Sequence, residues 1–111
     1  MLTIDKLRAY GADVDAGLAR CMDKEDFYLM LVQAAISDNR LPKLRQQIDE
    51  KELTAAFETA HALKGMYTNL ALTPLAAPVV EMCELLRSGT DTDYTALLNE
   101  ADAQFDKLCS L

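Results

Sequence analysis

The chain contains one histidine, His61, and two residues just after it define what that ring could do. A neutral imidazole is a nucleophile, and because it titrates near pH 6.5 much of it is neutral at pH 7. Lys64 follows three residues later, on the same side of a helix, and places a cation beside the ring. A cation is a poor neighbour for a ring meant to be protonated. It suits a ring that will carry a dianionic phosphoryl group. Gly65 lies one turn after His61, in a helix interior where glycine costs about 1 kcal/mol relative to alanine. No cap or kink in the sequence accounts for it. A missing side chain there lets another protein's surface come within bonding range of the imidazole. Taken singly, these residues read as a boundary histidine, a snorkelling lysine and a close helix crossing. Together they read as a nucleophile, its counter-cation and an open approach.

The elements that must position this trio are helical. The chain has 111 residues, half of them apolar, with only four glycines, three prolines and a formal net charge of −7. Alanine and leucine far outnumber β-branched residues, which disfavours a turn-rich β fold. A short helix through Leu2, Ile4 and Leu7 stops at Gly11, and Asp13 caps a second one running to Leu18. Asp23 precedes an acidic first turn, Glu25 and Asp26. Phe27, Met30, Leu31 and Ala34 then form an apolar stripe that Leu41, Leu44 and Ile48 continue. The spacing predicts one long helix over roughly residues 24–49 bent near Pro42, or a break between Ser37 and Leu41. Asp49 with Glu52 resembles a capping box for the next helix, with core face Leu53, Ala56, Phe57, Ala60, Leu63, Tyr67 and Leu70. His61 sits roughly 80–120° from the centre of that face, at the border of core and solvent.

Thr73-Pro74 is a restart signal, and Leu75, Val79, Met82 and Leu86 recur until Gly89. Pro78, one turn in, would allow a later start. Thr92 or Asp91 caps a last helix with the stripe Tyr94, Leu97, Leu98, Ala101, Phe105 and Leu108. Four amphipathic helices with short connections are expected to close as an antiparallel up-and-down four-helix bundle, capped at one end by the short N-terminal helices. Residues 1–111 are expected to form this single domain.

The run Ala60-His61-Ala62-Leu63-Lys64-Gly65, followed by Asn69-Leu70 and Leu75, resembles the motif of histidine-containing phosphotransfer (HPt) domains. Val14, Gly17-Leu18-Ala19-Arg20, Asp26 and Tyr28 are similar to that family's N-terminal region. The resemblance implies that His61 is a phosphoacceptor through Nε2, that Lys64 stabilises the phosphoryl charge and that Gly65 gives the partner access. Two features depart from the pattern. Ala71 stands where the family usually has a second glycine, and Met66 and Tyr67 stand where small residues are common. Tyr67 falls on the core stripe, whereas Met66 is expected to point outward.

The chain has no glycine-rich phosphate loop or kinase signature, so the donor is expected to be another protein and the chain itself a carrier, not an enzyme. The expected partners are receiver domains of response regulators or hybrid sensor kinases, which bring their own Mg²⁺; no cofactor or metal is expected on this chain. Docking is expected on the row Glu58, Gly65, Thr68, Asn69 and Leu72, with Glu81 or Glu84 orienting the other ring nitrogen. An adaptor that binds receivers without accepting phosphate is the alternative. The acidic balance disfavours nucleic acid, no apolar run approaches a membrane span, and the N-terminus lacks a secretory layout. Cys21, Cys83 and Cys109 lack ligand or disulfide spacing and are expected to be buried thiols of a cytoplasmic protein. Asp13, Asp15 and Gly17 hint at a calcium loop whose remaining ligands are missing. A start at Met1 and an end at Leu111 favour a free-standing protein over a domain excised from a hybrid kinase, and exposed faces that read as polar favour a monomer.

Overall fold

Local side-chain hydrogen bonds set where most of the helices begin. Thr3 accepts from the backbone N–H of Lys6 and starts α1 (Ile4–Tyr10), which Gly11 ends at φ +112°. That left-handed conformation favours glycine. Asp13 accepts from the N–H of Ala16 and starts α2 (Val14–Arg20), which runs past Leu18. The computed structural model describes residues 1–111, all of its regular structure being helical.

Of the two readings of 24–49, the single bent helix fails and the break between Ser37 and Leu41 holds, giving α3 (Glu25–Ser37) and α4 (Leu41–Asp49). The break is built locally. Asp38 accepts two hydrogen bonds from the Arg40 guanidinium at 3.0 and 2.7 Å. Asn39 Oδ1 accepts from the N–H of Leu41 at 3.0 Å. Pro42 then falls in the first turn of α4, where a missing N–H costs nothing. The expected capping box also fails. Asp49 closes α4, Lys51 turns the chain at φ +60°, and α5 (Leu53–Asn69) starts after Glu52 without a side-chain cap.

Helix α6 (Thr73–Arg87) starts at Thr73 and carries Pro78 inside it, so Pro78 does not delay the start. Only one backbone bond, to the carbonyl of Pro74, is forgone. The start of α7 (Thr95–Cys109) is set by Asp93, which accepts from the N–H of Thr95 at 2.9 Å. Asp91 instead pairs with Lys51 at 2.7 Å, and Thr92 caps nothing.

Helices α4, α5, α6 and α7 close a ring of neighbour contacts, with α5 packed most extensively on α6. Helices α1 and α3 lie against α7 and α2. One contiguous apolar core runs from Leu2 to Leu108. Ala56, Ala60, Leu63, Tyr67 and Leu70 are buried as the periodicity predicts, while Leu53 and Phe57 are half-buried. The stripes of α6 and α7 are buried too, except for half-buried Leu97.

Helix α3 is the exception. Tyr28, Val32 and Ala35 face inward, leaving Phe27 44% and Met30 57% exposed. The core therefore takes the row one residue along, a rotation of about 100°. Tyr28 explains this choice. Its ring fits against Gly17, where a Cβ would lie only 2.5 Å from Cε1, and its hydroxyl donates to the Leu70 carbonyl at 2.8 Å. Cys21 and Cys83 are buried as expected, but Cys109 is exposed at the end of α7. No helix is long and apolar enough to cross a membrane.

Candidate functional site

His61 lies near the middle of α5, the longest helix, on its solvent-facing side. The end of that helix is fixed from outside the ring of helices. Arg20 of α2 donates to the carbonyls of Thr68 and Asn69 at 2.7 and 3.1 Å, joining the Ala71 N–H on the first and satisfying the second at a helix end that lacks i+4 donors. Tyr28 holds Leu70, and the Thr68 hydroxyl bonds back to the Lys64 carbonyl at 2.7 Å. The segment carrying His61, Lys64 and Gly65 is thus anchored at its C-terminal end by two other helices.

The His61 ring is held by stacking, not by a carboxylate. It lies 5.6 Å from the Phe57 ring, centroid to centroid, at 27° between planes. Arg87 of α6 places its guanidinium carbon 5.1 Å from the centre of the same Phe57 ring, a cation–π contact worth about 0.5–1 kcal/mol at an exposed site. Neither Glu81 nor Glu84 bonds to the imidazole. Glu81 is exposed, and Glu84 sits 3.5 Å from Nζ of Lys64 and 3.5 Å from Nε of Arg87. The expected orienting carboxylate is therefore a counter-ion to two cations. From sequence Phe57 reads only as a core residue, and Arg87 is not singled out. The four-residue step from Phe57 to His61 is the usual spacing of a stacked helical pair and could have indicated the first.

Gly65 is exposed, and a Cβ built on it would meet nothing within 4 Å. A close helix crossing is therefore not the reason for this glycine; the backbone is bare toward solvent beside the imidazole. Lys64 is half-buried, its stem along α5 and its ammonium toward Glu84.

Of the expected docking row, Glu58, Thr68 and Asn69 are exposed on α5 with Gly65. Leu72 is fully buried and cannot contribute. Ala71 turns the chain at φ +56°, and the N–H of Leu72 bonds back to the Tyr67 carbonyl at 3.0 Å, which turns its side chain into the core. The positive φ at Ala71 gives a physical reason for glycine to be favoured there. Met66 is likewise not outward-pointing. It is half-buried on the core and lines a groove between α3 and α5 with Leu31, Ala34, Asn69 and Gly65. Phe27 and Met30, at helical spacing from Leu31 and Ala34, extend that apolar surface along α3. Tyr67 is buried as expected, its hydroxyl bonding to no protein group.

Neither a curated protein nor a solved structure matches this chain. A family model described as Hpt domain matches residues 34–110, which takes in α4 to α7 and the whole surround of His61. The N-terminal likeness at Val14–Tyr28 lies outside that match. With more than half of its length matched, and a helical fold that presents a lone histidine at the surface, the chain belongs to the Hpt domain family, the phosphocarrier modules of two-component phosphorelays.

Proposed function

We propose that this chain is a phosphoryl shuttle in which His61 accepts a phosphoryl group from a phospho-aspartyl receiver domain and passes it to another. The observation that carries this is the exposed ring on α5, beside the bare backbone at Gly65 and within one turn of Lys64. In the forward step the Nε2 lone pair attacks phosphorus. The P–N bond forms as the P–O bond to the receiver's aspartate breaks, and the aspartate leaves as a carboxylate. Nδ1 keeps its proton. Lys64 then faces the dianionic phosphoryl group. Phosphoramidate and acyl phosphate lie close enough in energy for the step to run either way.

The chain's own contribution is geometry. Stacking on Phe57 limits the ring's rotation, so the attacking nitrogen is presented without an ordering cost at the moment of transfer. The Mg²⁺ and acidic pocket that such a transfer uses belong to the receiver, so this chain works as a carrier with no metal or nucleotide of its own. The groove between α3 and α5, with Phe27 and Met30 beyond it, supplies the apolar part of the docking face, and Glu58, Thr68 and Asn69 supply its polar rim. The ring of α4 to α7 is the antiparallel up-and-down bundle, capped by α1 and α2. Residues 1–111 act as one domain and one monomer, in the cytoplasm where receivers work.

The test is incubation with a phosphorylated receiver, comparing the wild type with His61→Gln. Acid-labile, base-stable label on the wild type alone is expected. Receiver binding with no label on either protein identifies an adaptor instead and refutes the shuttle.

A further inference from the structure

The charged side chains around His61 form one connected set. Glu84 uses Oε1 toward Lys64 and Oε2 toward Arg87, both at 3.5 Å. Arg87 leans on Phe57, and Phe57 carries the His61 ring. Elsewhere in the molecule ion pairs are tight, at 2.7 Å for Lys51–Asp91 and 2.6 Å for Arg45–Asp102. Glu84 is thus shared loosely between two cations, with about half of its side chain open to water. An exposed pair of that length is weak and exchanges readily. A dianionic phosphoryl group on His61 would offer Lys64 shorter, charge-assisted hydrogen bonds.

We infer that Glu84 is the resident anion of this site, a positioning residue that holds Lys64 and Arg87 while the ring is free and sets how far His61 stays loaded. The inference rests on His61 being the phosphoacceptor. With the ring free, Glu84 neutralises one of two clustered cations and keeps the Lys64 ammonium directed across the α5–α6 seam. When the phosphoryl group arrives, the Lys64–Glu84 contact opens and Lys64 turns to the phosphoryl oxygens. Glu84 remains on Arg87, and no proton moves. Its negative charge then stands close to the new dianion, which raises the energy of the loaded state. Glu84 therefore favours discharge onto the next receiver over storage. This is a useful bias in a shuttle, whose loaded form must not be a sink.

The experiment is a charge series at residue 84 in the full chain, Glu84→Gln and Glu84→Lys, mixed with one phosphorylated receiver. The equilibrium share of label on His61 is read at low and at high salt. Neutralising a half-exposed charge beside a dianion is worth a factor of about three to ten in that equilibrium at low ionic strength. Glu84→Gln is expected to shift label toward the histidine by that factor, and Glu84→Lys further in the same direction. Both shifts should collapse near 1 M salt, where the screening length falls to about 3 Å. A purely structural role would show neither the grading with charge nor the salt dependence. Label on the wild type with an unchanged or reversed distribution in both variants overturns this inference alone. A wild type that never labels overturns the acceptor role of His61, and this inference with it.

Discussion

Gly65 offers a perturbation in which stability and transfer should move in opposite directions. It lies in the interior of α5, and a Cβ there touches nothing within 4 Å. Gly65→Ala therefore removes the helix-interior penalty without creating a clash, a gain of about 0.5–1 kcal/mol. For a domain of this size that corresponds to a rise in Tm of about 2–8 °C. The same methyl projects into the space a docking receiver must occupy. Reacting atoms need to approach to about 3–3.5 Å, and a displacement of about 1 Å can cost a hundredfold in rate. We expect Gly65→Ala to slow transfer from a receiver about tenfold and Gly65→Gln about a hundredfold.

Urea unfolding gives the first quantity and rapid-mixing transfer the second. Chemical labelling by phosphoramidate, a donor small enough to avoid the added methyl, should be unchanged and shows that the ring itself still reacts. A Gly65→Ala protein less stable than wild type would refute the structural half of this reasoning. Receiver-dependent transfer at the wild-type rate in both variants would refute the other half.

Two further predictions concern the frame that holds the site. Gly17→Ala would place a methyl 2.5 Å from Cε1 of fully buried Tyr28 and strain its bond to the Leu70 carbonyl. Overpacking of this kind costs about 1–3 kcal/mol, visible as a lower urea midpoint at unchanged m-value. Alkaline pH should weaken the fold through the buried tyrosines. Burial pushes the Tyr67 hydroxyl up to about 12 and raises Tyr10 and Tyr28 as well. Above pH 10 the unfolded chain loses these protons while the native state keeps them, so stability present below pH 10 declines as pH rises. Tyr67 alone accounts for about 3 kcal/mol between pH 10 and 12. Unfolding midpoints between pH 9 and 12 should fall, and less steeply in Tyr67→Phe.

Helical period and capping chemistry made much of this molecule legible before any coordinates. The end of α1 at Gly11, the start of α2 at Asp13, the core faces of α5, α6 and α7, and an exposed His61 followed by Lys64 and Gly65 all follow from residue type and spacing, whereas α1 starts at Ile4 and leaves Leu2 outside it. What escaped depends partly on local turn chemistry and partly on contacts between helices. The sequence leaves a bend at Pro42 and a break between Ser37 and Leu41 both open, and the side-chain bonds of Asp38 and Asn39 that decide for the break have no periodicity to announce them. Leu72 was placed on the surface by extending a helical wheel past the point where Ala71 turns the chain. Glu84 was given to the imidazole, whereas the nearer demand came from Lys64 and Arg87, on two different helices.

The error on α3 is of another kind, and it bears on function. Phe27, Met30, Leu31 and Ala34 do form an apolar stripe at helical spacing, and the periodicity was real. Tyr28, locked between Gly17 and the Leu70 carbonyl, forces the adjacent row inward, so the stripe is displayed instead of buried. A helix with two apolar rows has one more than its own core can use. Phe27 and Met30, exposed side by side on one helix, leave apolar area in water that the core does not use. They become intelligible beside the groove that Leu31, Ala34 and Met66 line next to Gly65. In the proposed function the surplus row is the face that the receiver covers, and it runs toward the bare backbone at Gly65. Hydrophobic pattern and tertiary structure thus disagree on α3, at the surface that the proposed docking uses.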